Sequence, residues 1–475
     1  MAMAHNTPPR KLWLSCGGTR TLQALILSSL VLLAASTVDD VVGTAEPQPP
    51  SGGGDCRHYR FELTHVDANL SLSSDELMRR AYDRSRLRAA TLYGTAADSP
   101  AAAAARGGSS DSNDSDSDSP VRSPGYLSQV DAEYIIKFYL GKRSDGVISA
   151  AVDTGSNLIW TTEKECQLST TRSVLPCSSD MCGQQANSQC SGKKCTYNIA
   201  YGDGHKATQT AGILYKDKLT FLRPRLQTFE NVAIGCSTST TLKFHDPRIK
   251  GIVGLGRGAQ SLPGQLGFNK FSYCLSSYYK PDLPSYLLLT TAPSMATGAR
   301  SGATVATTGL RRNDAYKTRY FVDLQGISIG GTRLDIAVMK SGGNMFVDTG
   351  ASYTRLEESV FNKLVEKVDQ IMKDRQHTKE QSQEDGRICY SSSTQPDSKS
   401  MPQMVLHFAD SANMVLPWDS YLWYTSKSSK LCLAILKSET TGVSVLGNFQ
   451  MQGIHMLFDT QNDKLSFVPA DCTKV

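Results

Sequence analysis

Three observations predict an all-β fold of two similar lobes with few helices. The string Ala150-Ala151-Val152-Asp153-Thr154-Gly155-Ser156 returns little changed as Asn344-Met345-Phe346-Val347-Asp348-Thr349-Gly350-Ala351. A second pair of strings follows each copy: Ile252-Val253-Gly254-Leu255-Gly256 places Gly254 101 positions after Asp153, and Val445-Leu446-Gly447-Asn448 places Gly447 99 positions after Asp348. Matched spacing over such a stretch marks a duplicated domain rather than a coincidence of short strings. From Tyr126 onward the chain is a succession of short apolar runs broken by Gly, Asn, Asp and Ser, which is the pattern of strands and turns.

Each Asp-Thr-Gly lies just beyond an apolar strand. Glycine there permits a tight turn with close backbone approach, and a lone carboxylate would be costly to bury. Two lobes offering one aspartate each bring both carboxylates to a pseudo-twofold axis, where like charges about 3 Å apart cannot both ionise and one proton is shared. Such a pair can act as general base and general acid at once, one group taking a proton while the other gives or shares one. Asp153 and Asp348 are assigned these roles, the shared proton being a property of the pair.

At these residues the chain resembles the pepsin-like aspartic endopeptidases, and most closely their nepenthesin-like, atypical plant branch, over most of residues 126–472. The resemblance implies a bilobal fold, with an N-terminal lobe at 126–315, a cysteine-rich insertion at 166–195 and a C-terminal lobe at 316–475. It implies that Thr154 and Thr349 reach beneath the dyad to the opposing loop, beside the turn glycines Gly155 and Gly350. It also implies that Ser156 hydrogen-bonds its own aspartate. Ala351 has no hydroxyl to offer Asp348. A hydrogen bond to the ionised form favours that form, so the expectation is a dyad titrating higher, with activity at less acidic pH.

The chain is long enough, at 475 residues, for two sizeable cores. Its net charge of +5 and pI of about 8.5 come without a long basic block, which argues against a nucleic-acid partner. Residues 1–36 read as a secretory signal peptide: Arg10, Lys11 and Arg20 precede the apolar run Leu22 to Ala35. The competing reading, a signal anchor, needs a run of about 20 residues. Residues 37–95 resemble the prosegment of nepenthesin-like zymogens. Tyr59 to Val66 alternates as a half-buried strand, and a capping box at Ser73 to Glu76 opens an arginine-rich helix to about Leu92. The plainer reading is a solvated basic helix. Residues 96–125 form an Ala/Gly and Ser-Asp linker without apolar periodicity. The only glycosylation sequons, Asn69 and Asn113, fall before the lobes.

Of the twelve cysteines, Cys16 would leave with the signal and Cys56 with the prosegment, so ten remain. Secretion makes disulfides the default. Cys177, Cys182, Cys190 and Cys195 could by spacing form a zinc site, but no histidine lies among them. The resemblance implies nested bridges Cys177–Cys195 and Cys182–Cys190, with Cys166–Cys236, Cys389–Cys432 and Cys274–Cys472. The C-x-P-C-type run usual after Trp160 is replaced here by Thr161 to Cys166.

Tyr201-Gly202-Asp203-Gly204 reads as a hairpin turn and resembles the flap that closes over substrate, with Tyr201 paired to Trp160. His205 stands where the family has a small hydroxyl residue. The longest helical pattern, Glu357 to Gln376, presents Val360, Phe361, Leu364, Val365, Val368 and Ile371 on one face. The sum is a secreted aspartic endopeptidase made as a zymogen. It is expected to be a monomer, with polypeptide substrates, its own prosegment as inhibitor, no cofactor, no metal, and no membrane partner after signal cleavage. Its destination would be the apoplast or the vacuole. The rival is a protein of the same fold that binds without cutting, such as a glycosidase inhibitor.

Overall fold

The duplicated strings fold into duplicated strand arrangements. In the first half, strand Ile148–Asp153 lies parallel to Ile249–Gly254, which runs antiparallel to Ile159–Thr162, itself parallel to Gln227–Thr240. In the second, Met345–Asp348 lies parallel to Ser444–Gly447, which runs antiparallel to Thr354–Leu356, itself parallel to Ile435–Lys437. Asp153 is paired with Gly254 and Asp348 with Gly447. Strands enclosed on both faces read as continuous apolar runs, and every residue of Met345–Asp348 is buried. The fold is all-β and bilobal.

This computed structural model describes residues 57–92 and 133–475 apart from 143–145, 184–187, 202–207, 243, 245, 338–341, 381–386, 398 and 439–441. The signal at 1–36, Cys56, the linker at 96–125 with Asn113, and Gly202 to His205 lie outside the described residues. Both lobes and the strand and helix that precede them belong to one compact unit, His58–Val475.

One long sheet draws strands from both halves. Ile454–Asp459 pairs with Lys270–Cys274 on one side and with Lys464–Pro469 on the other. The N-terminal strand, His58–His65, is inside this sheet, between Ser285–Thr290 and Tyr134–Leu140. Its alternation drives Phe61 and Leu63 into the core and leaves Arg60 and Glu62 half-exposed.

Among the described residues two helices exceed five residues. Ser74–Leu92 is capped by Ser73, whose hydroxyl accepts the Glu76 N–H at 3.3 Å. The Glu76 carboxylate grips Arg79 at 2.6 and 2.9 Å. Glu358–Asp374 starts one residue inside the predicted bound, because Glu357 serves as its cap, accepting the Ser359 N–H at 3.0 Å. It buries Val360, Phe361, Leu364, Val368, Ile371 and Met372, leaving Val365 half-buried. No described helix is long and apolar enough to cross a membrane.

Five disulfides are present among the described residues: Cys166–Cys236, Cys177–Cys190, Cys182–Cys195, Cys274–Cys472 and Cys389–Cys432. The nested pairs Cys177–Cys195 and Cys182–Cys190 are therefore corrected to a crossed pair. Cys190 and Cys195 face each other across the hairpin Ser188–Ser191/Lys194–Tyr201, so each must reach a different cysteine of the preceding loop. That loop runs antiparallel beside Lys194 at Pro176, which carries Cys177 past Cys195 toward Cys190. A turn at Ser179 then brings Cys182 back against the cluster of Leu175, Cys195 and Tyr197. Non-reducing peptide mapping of the purified chain is expected to recover Cys177 linked to Cys190 and Cys182 linked to Cys195. Recovery of a Cys177–Cys195 peptide would contradict the crossed arrangement.

Candidate active site

Both aspartates end a buried strand, and each loop beyond turns on its glycine. The Gly155 N–H donates to Asp153 Oδ1 at 2.9 Å and the Gly350 N–H to Asp348 Oδ1 at 2.9 Å. The residues are 1 % and 0 % exposed. A carboxylate taken this far from water needs charge-favouring donors, and the two backbone N–H groups supply them with the same geometry in both halves.

The threonines join the loops. Thr154 Oγ1 donates to Val347 O at 2.9 Å and accepts the Thr349 N–H at 3.0 Å. Thr349 Oγ1 donates to Val152 O at 2.9 Å and accepts the Thr154 N–H at 3.0 Å. Each hydroxyl thus uses its donor and one acceptor site across the pseudo-twofold axis, and four buried backbone groups find partners that neither lobe offers on its own.

Close packing seats the loops on their sheets. A side chain at Gly254 would put its first carbon 2.3 Å from the Asn157 backbone, and one at Gly447 would put it 2.4 Å from that of Tyr353. Asn157 Oδ1 accepts the Gly258 N–H at 2.9 Å. In the second half Asn448 Nδ2 donates to Thr349 O at 2.9 Å, and Gln450 accepts the Thr354 N–H at 2.9 Å while donating to Ala434 O and Ser420 O. The sequence assigns no role to Asn157, Asn448 or Gln450. Their one signal was adjacency to the repeated motifs.

Two expectations are corrected by this geometry. The Ser156 hydroxyl is buried without a hydrogen-bond partner among the described residues, so it does not serve Asp153. Ala351 packs in an apolar cluster with Phe321, Phe346 and Val445. The glycine donors of the two carboxylates match, and the Ser156 hydroxyl from which an asymmetry was inferred does not bond Asp153. Trp160 is buried in its strand, with its ring stacked on Phe244 at 6.0 Å. Tyr201 ends strand Lys194–Tyr201, opposite Thr208 of the returning strand. The two strands flanking the expected flap turn are thus paired. The Tyr201 side chain and its pairing with Trp160 lie outside the described part, as do Gly202, Asp203 and Gly204.

Two lobes of one strand order, each supplying an Asp-Thr-Gly loop to a shared axis, define the pepsin-like aspartic proteases. Residues 134–289 match the family model described as xylanase inhibitor N-terminal, and residues 319–469 the one described as xylanase inhibitor C-terminal. Aspartic proteinase nepenthesin-2 of Nepenthes gracilis is 29 % identical over 94 % of this chain and 96 % of its own length. Aspartyl protease family protein 2 of Arabidopsis thaliana is 31 % identical over 73 % of this chain and 72 % of its own. Among solved structures, edgp superposes with a TM-score of 0.60 at 19 % identity, covering 74 % of this chain and 95 % of that one. Basic 7S globulin from soybean does so with a TM-score of 0.58 at 18 % identity, covering 70 % and 92 %. The chain belongs to the plant aspartic protease family, in its atypical, nepenthesin-like branch.

Thr154→Val and Thr349→Val are each expected to destabilise the protein by about 2–4 kcal/mol, since each strands a buried N–H and a buried carbonyl. The double variant should cost less than the sum, because the network is shared. Urea titration measures both. Ala351→Ser is expected to leave the acid limb of any activity profile in place and to cost about 1 kcal/mol for a hydroxyl set against Phe321 and Phe346.

Proposed function

We propose that this chain is an aspartic endopeptidase of the secretory pathway, made as a zymogen. The observation that carries the reading is the reciprocal threonine exchange. It holds two buried carboxylates in matched loops, each supported by its own glycine N–H.

In this reading the dyad shares one proton. The ionised partner takes a proton from a water held between the two, and the protonated partner donates to the substrate carbonyl oxygen, giving a tetrahedral diol. The proton then passes to the leaving amine. Substrate lies extended beneath the Tyr201 hairpin, bound through its backbone like an added strand, with hydrophobic residues on either side of the cut. The signal at 1–36 directs secretion, to the apoplast or the vacuole. The prosegment at 37–95 restrains the monomeric enzyme until processing.

The second reading, a pepsin-fold protein that binds without cutting, draws support from the two family models, whose descriptions name xylanase inhibitors. Against it stand both aspartates, both threonines and both glycines.

Incubating the acid-treated chain with a denatured protein across about pH 2 to 6, the span in which paired carboxylates titrate, is expected to give cleavage that pepstatin blocks. Asp153→Asn should lower it by a factor on the order of 10⁴. A folded, processed chain that cleaves nothing would transfer the assignment to the binding reading.

A further inference from the structure

An arginine rests against the strand that carries the second aspartate. The Arg319 guanidinium carbon lies 4.9 Å from the centre of the Phe346 ring and 4.5 Å from that of Tyr316. A cation at this range is attracted by the ring faces, which holds the guanidinium in place. Phe346 is the second residue of strand Met345–Asp348. Side chains two apart on a strand leave the same face, so the Phe346 ring and the Asp348 carboxylate share one, about 7 Å apart along the chain. The ring also packs with Phe321, Ala351 and Val445, and Ala351 directly follows the turn glycine Gly350. Arg319 therefore brings a fixed positive charge to an apolar wall beside the catalytic loop.

The backbone on either side of Arg319 is pinned to both halves of the site. Thr318 O accepts the Arg257 N–H at 2.9 Å, and the neighbouring Gly256 N–H donates to Ser156 O at 2.8 Å, next to the first Asp-Thr-Gly. Tyr320 O accepts the Val347 N–H at 2.9 Å, one residue before Asp348, while Tyr320 Oη donates to Leu255 O at 2.7 Å. The turn itself is closed by the Arg319 N–H on Tyr316 O at 3.1 Å. A residue held this way between the two loops has a set position relative to the dyad.

We propose that Arg319 is a specificity residue, which receives the carboxylate of an Asp or Glu side chain close to the bond that the dyad acts on. The inference rests on reading the ground beside Asp153 and Asp348 as a groove for extended polypeptide, and it replaces a hydrophobic residue at one substrate position by an acidic one. An extended strand advances about 3.3–3.4 Å per residue. A substrate residue one or two places from the carbonyl at the dyad thus passes over the stretch that separates Asp348 from Phe346. The planar guanidinium fork matches a carboxylate in two parallel hydrogen bonds. Arg319 is 8 % exposed, but the two aspartates, at 1 % and 0 %, are more enclosed still and must meet the same substrate.

The pH dependence follows from the substrate side chain, since an arginine stays charged throughout the acid range. A substrate Glu ionises at about 4.3 and is attracted only above that region. Binding to Arg319 lowers its value, so the attraction fades as pH falls through the lowered one. The charged groups of the segment around Arg319 are Arg311, Arg312, Asp314 and Lys317, of which Arg311 is engaged with Asp323 and Arg312 with Asp463. From the elements packed against it come Asp348, at the end of the Phe346 strand, and Arg257, which pairs with Asp463.

The test uses the acid-treated full chain and short peptides whose central amide is replaced by a non-hydrolysable hydroxyethylene unit, so that binding is read without cutting. Glu, Gln or Leu is placed in turn at each of the two positions on either side of that unit. Fluorescence anisotropy measures affinity at about pH 5.5 and about pH 2, on either side of the Glu titration. At one position Glu is expected to bind about ten- to hundredfold more tightly than Gln at the higher pH, the range of a hydrogen bond to a charged group, and to lose that advantage at the lower. Arg319→Met should abolish the preference for Glu over Gln. Arg319→Lys should keep part of it, because the ammonium retains the charge and loses the fork; it serves where Arg319→Met does not fold, as near-ultraviolet circular dichroism reports. Equal binding of Glu and Gln at every position, a preference that persists undiminished at the lower pH or survives Arg319→Met, or no binding of any peptide would overturn the inference and leave Arg319 a packing residue. Peptides ranked as expected by a chain that cuts nothing would keep the inference and remove the protease assignment. Pepstatin-sensitive cleavage with a ranking that Arg319 does not move would do the reverse.

Discussion

The constraint on which the molecule turns is that four buried backbone groups at the dyad have partners only across the lobe boundary. Val347 O and the Thr349 N–H are met by the Thr154 hydroxyl, while Val152 O and the Thr154 N–H are met by that of Thr349. An unmet buried amide costs more than a made hydrogen bond returns, so the exchange favours the two lobes held together. The rest of the architecture serves this exchange. The parallel pairing of each aspartate strand with the glycine strand beside it fixes the depth of the loop, and Gly254 and Gly447 let the neighbouring chain come close enough to hold it.

The shared sheet supplies the rigidity that the exchange needs. Strands Lys270–Cys274 and Ile454–Asp459 run side by side, and the Cys274–Cys472 disulfide ties the same two regions. The N-terminal strand completes this sheet from within rather than lying on its surface, which gives a segment before the linker a structural hold on two strands of the first half. Its helix extends that hold to Tyr353 and Arg355.

Much of this was legible because it repeats. The doubled Asp-Thr-Gly and the matched spacing to Gly254 and Gly447 report the pseudo-symmetry directly, and period-two and period-3.6 patterns locate the strand at 58–65 and the helix at 358–374 within one or two residues. The features that escaped depend on contacts between distant residues. The crossing of Cys177 and Cys182 follows from where Pro176 sits beside Lys194, a register that no cysteine spacing encodes. Whether Ser156 faces its aspartate depends on a side-chain direction, and Ala351 faces aromatic rings that lie on other strands. Asp67, Arg84 and Glu133 look in the sequence like ordinary surface charges, because their burial arises only when the strand enters the sheet.

The late strands carry a consequence for how the chain is made. On the ribosome, Lys270–Cys274 emerges long before Ile454–Asp459, the strand that covers one of its edges. At about 5–20 residues per second the interval is roughly 10–40 s. Throughout it the nascent first lobe presents an open row of backbone donors and acceptors, a template for pairing with another chain. Cys274 waits as long for a partner 198 residues downstream, among cysteines that can already react with one another. Synthesis therefore passes through a stage in which the order of bond formation, rather than the final energy, decides whether the second lobe finds its place.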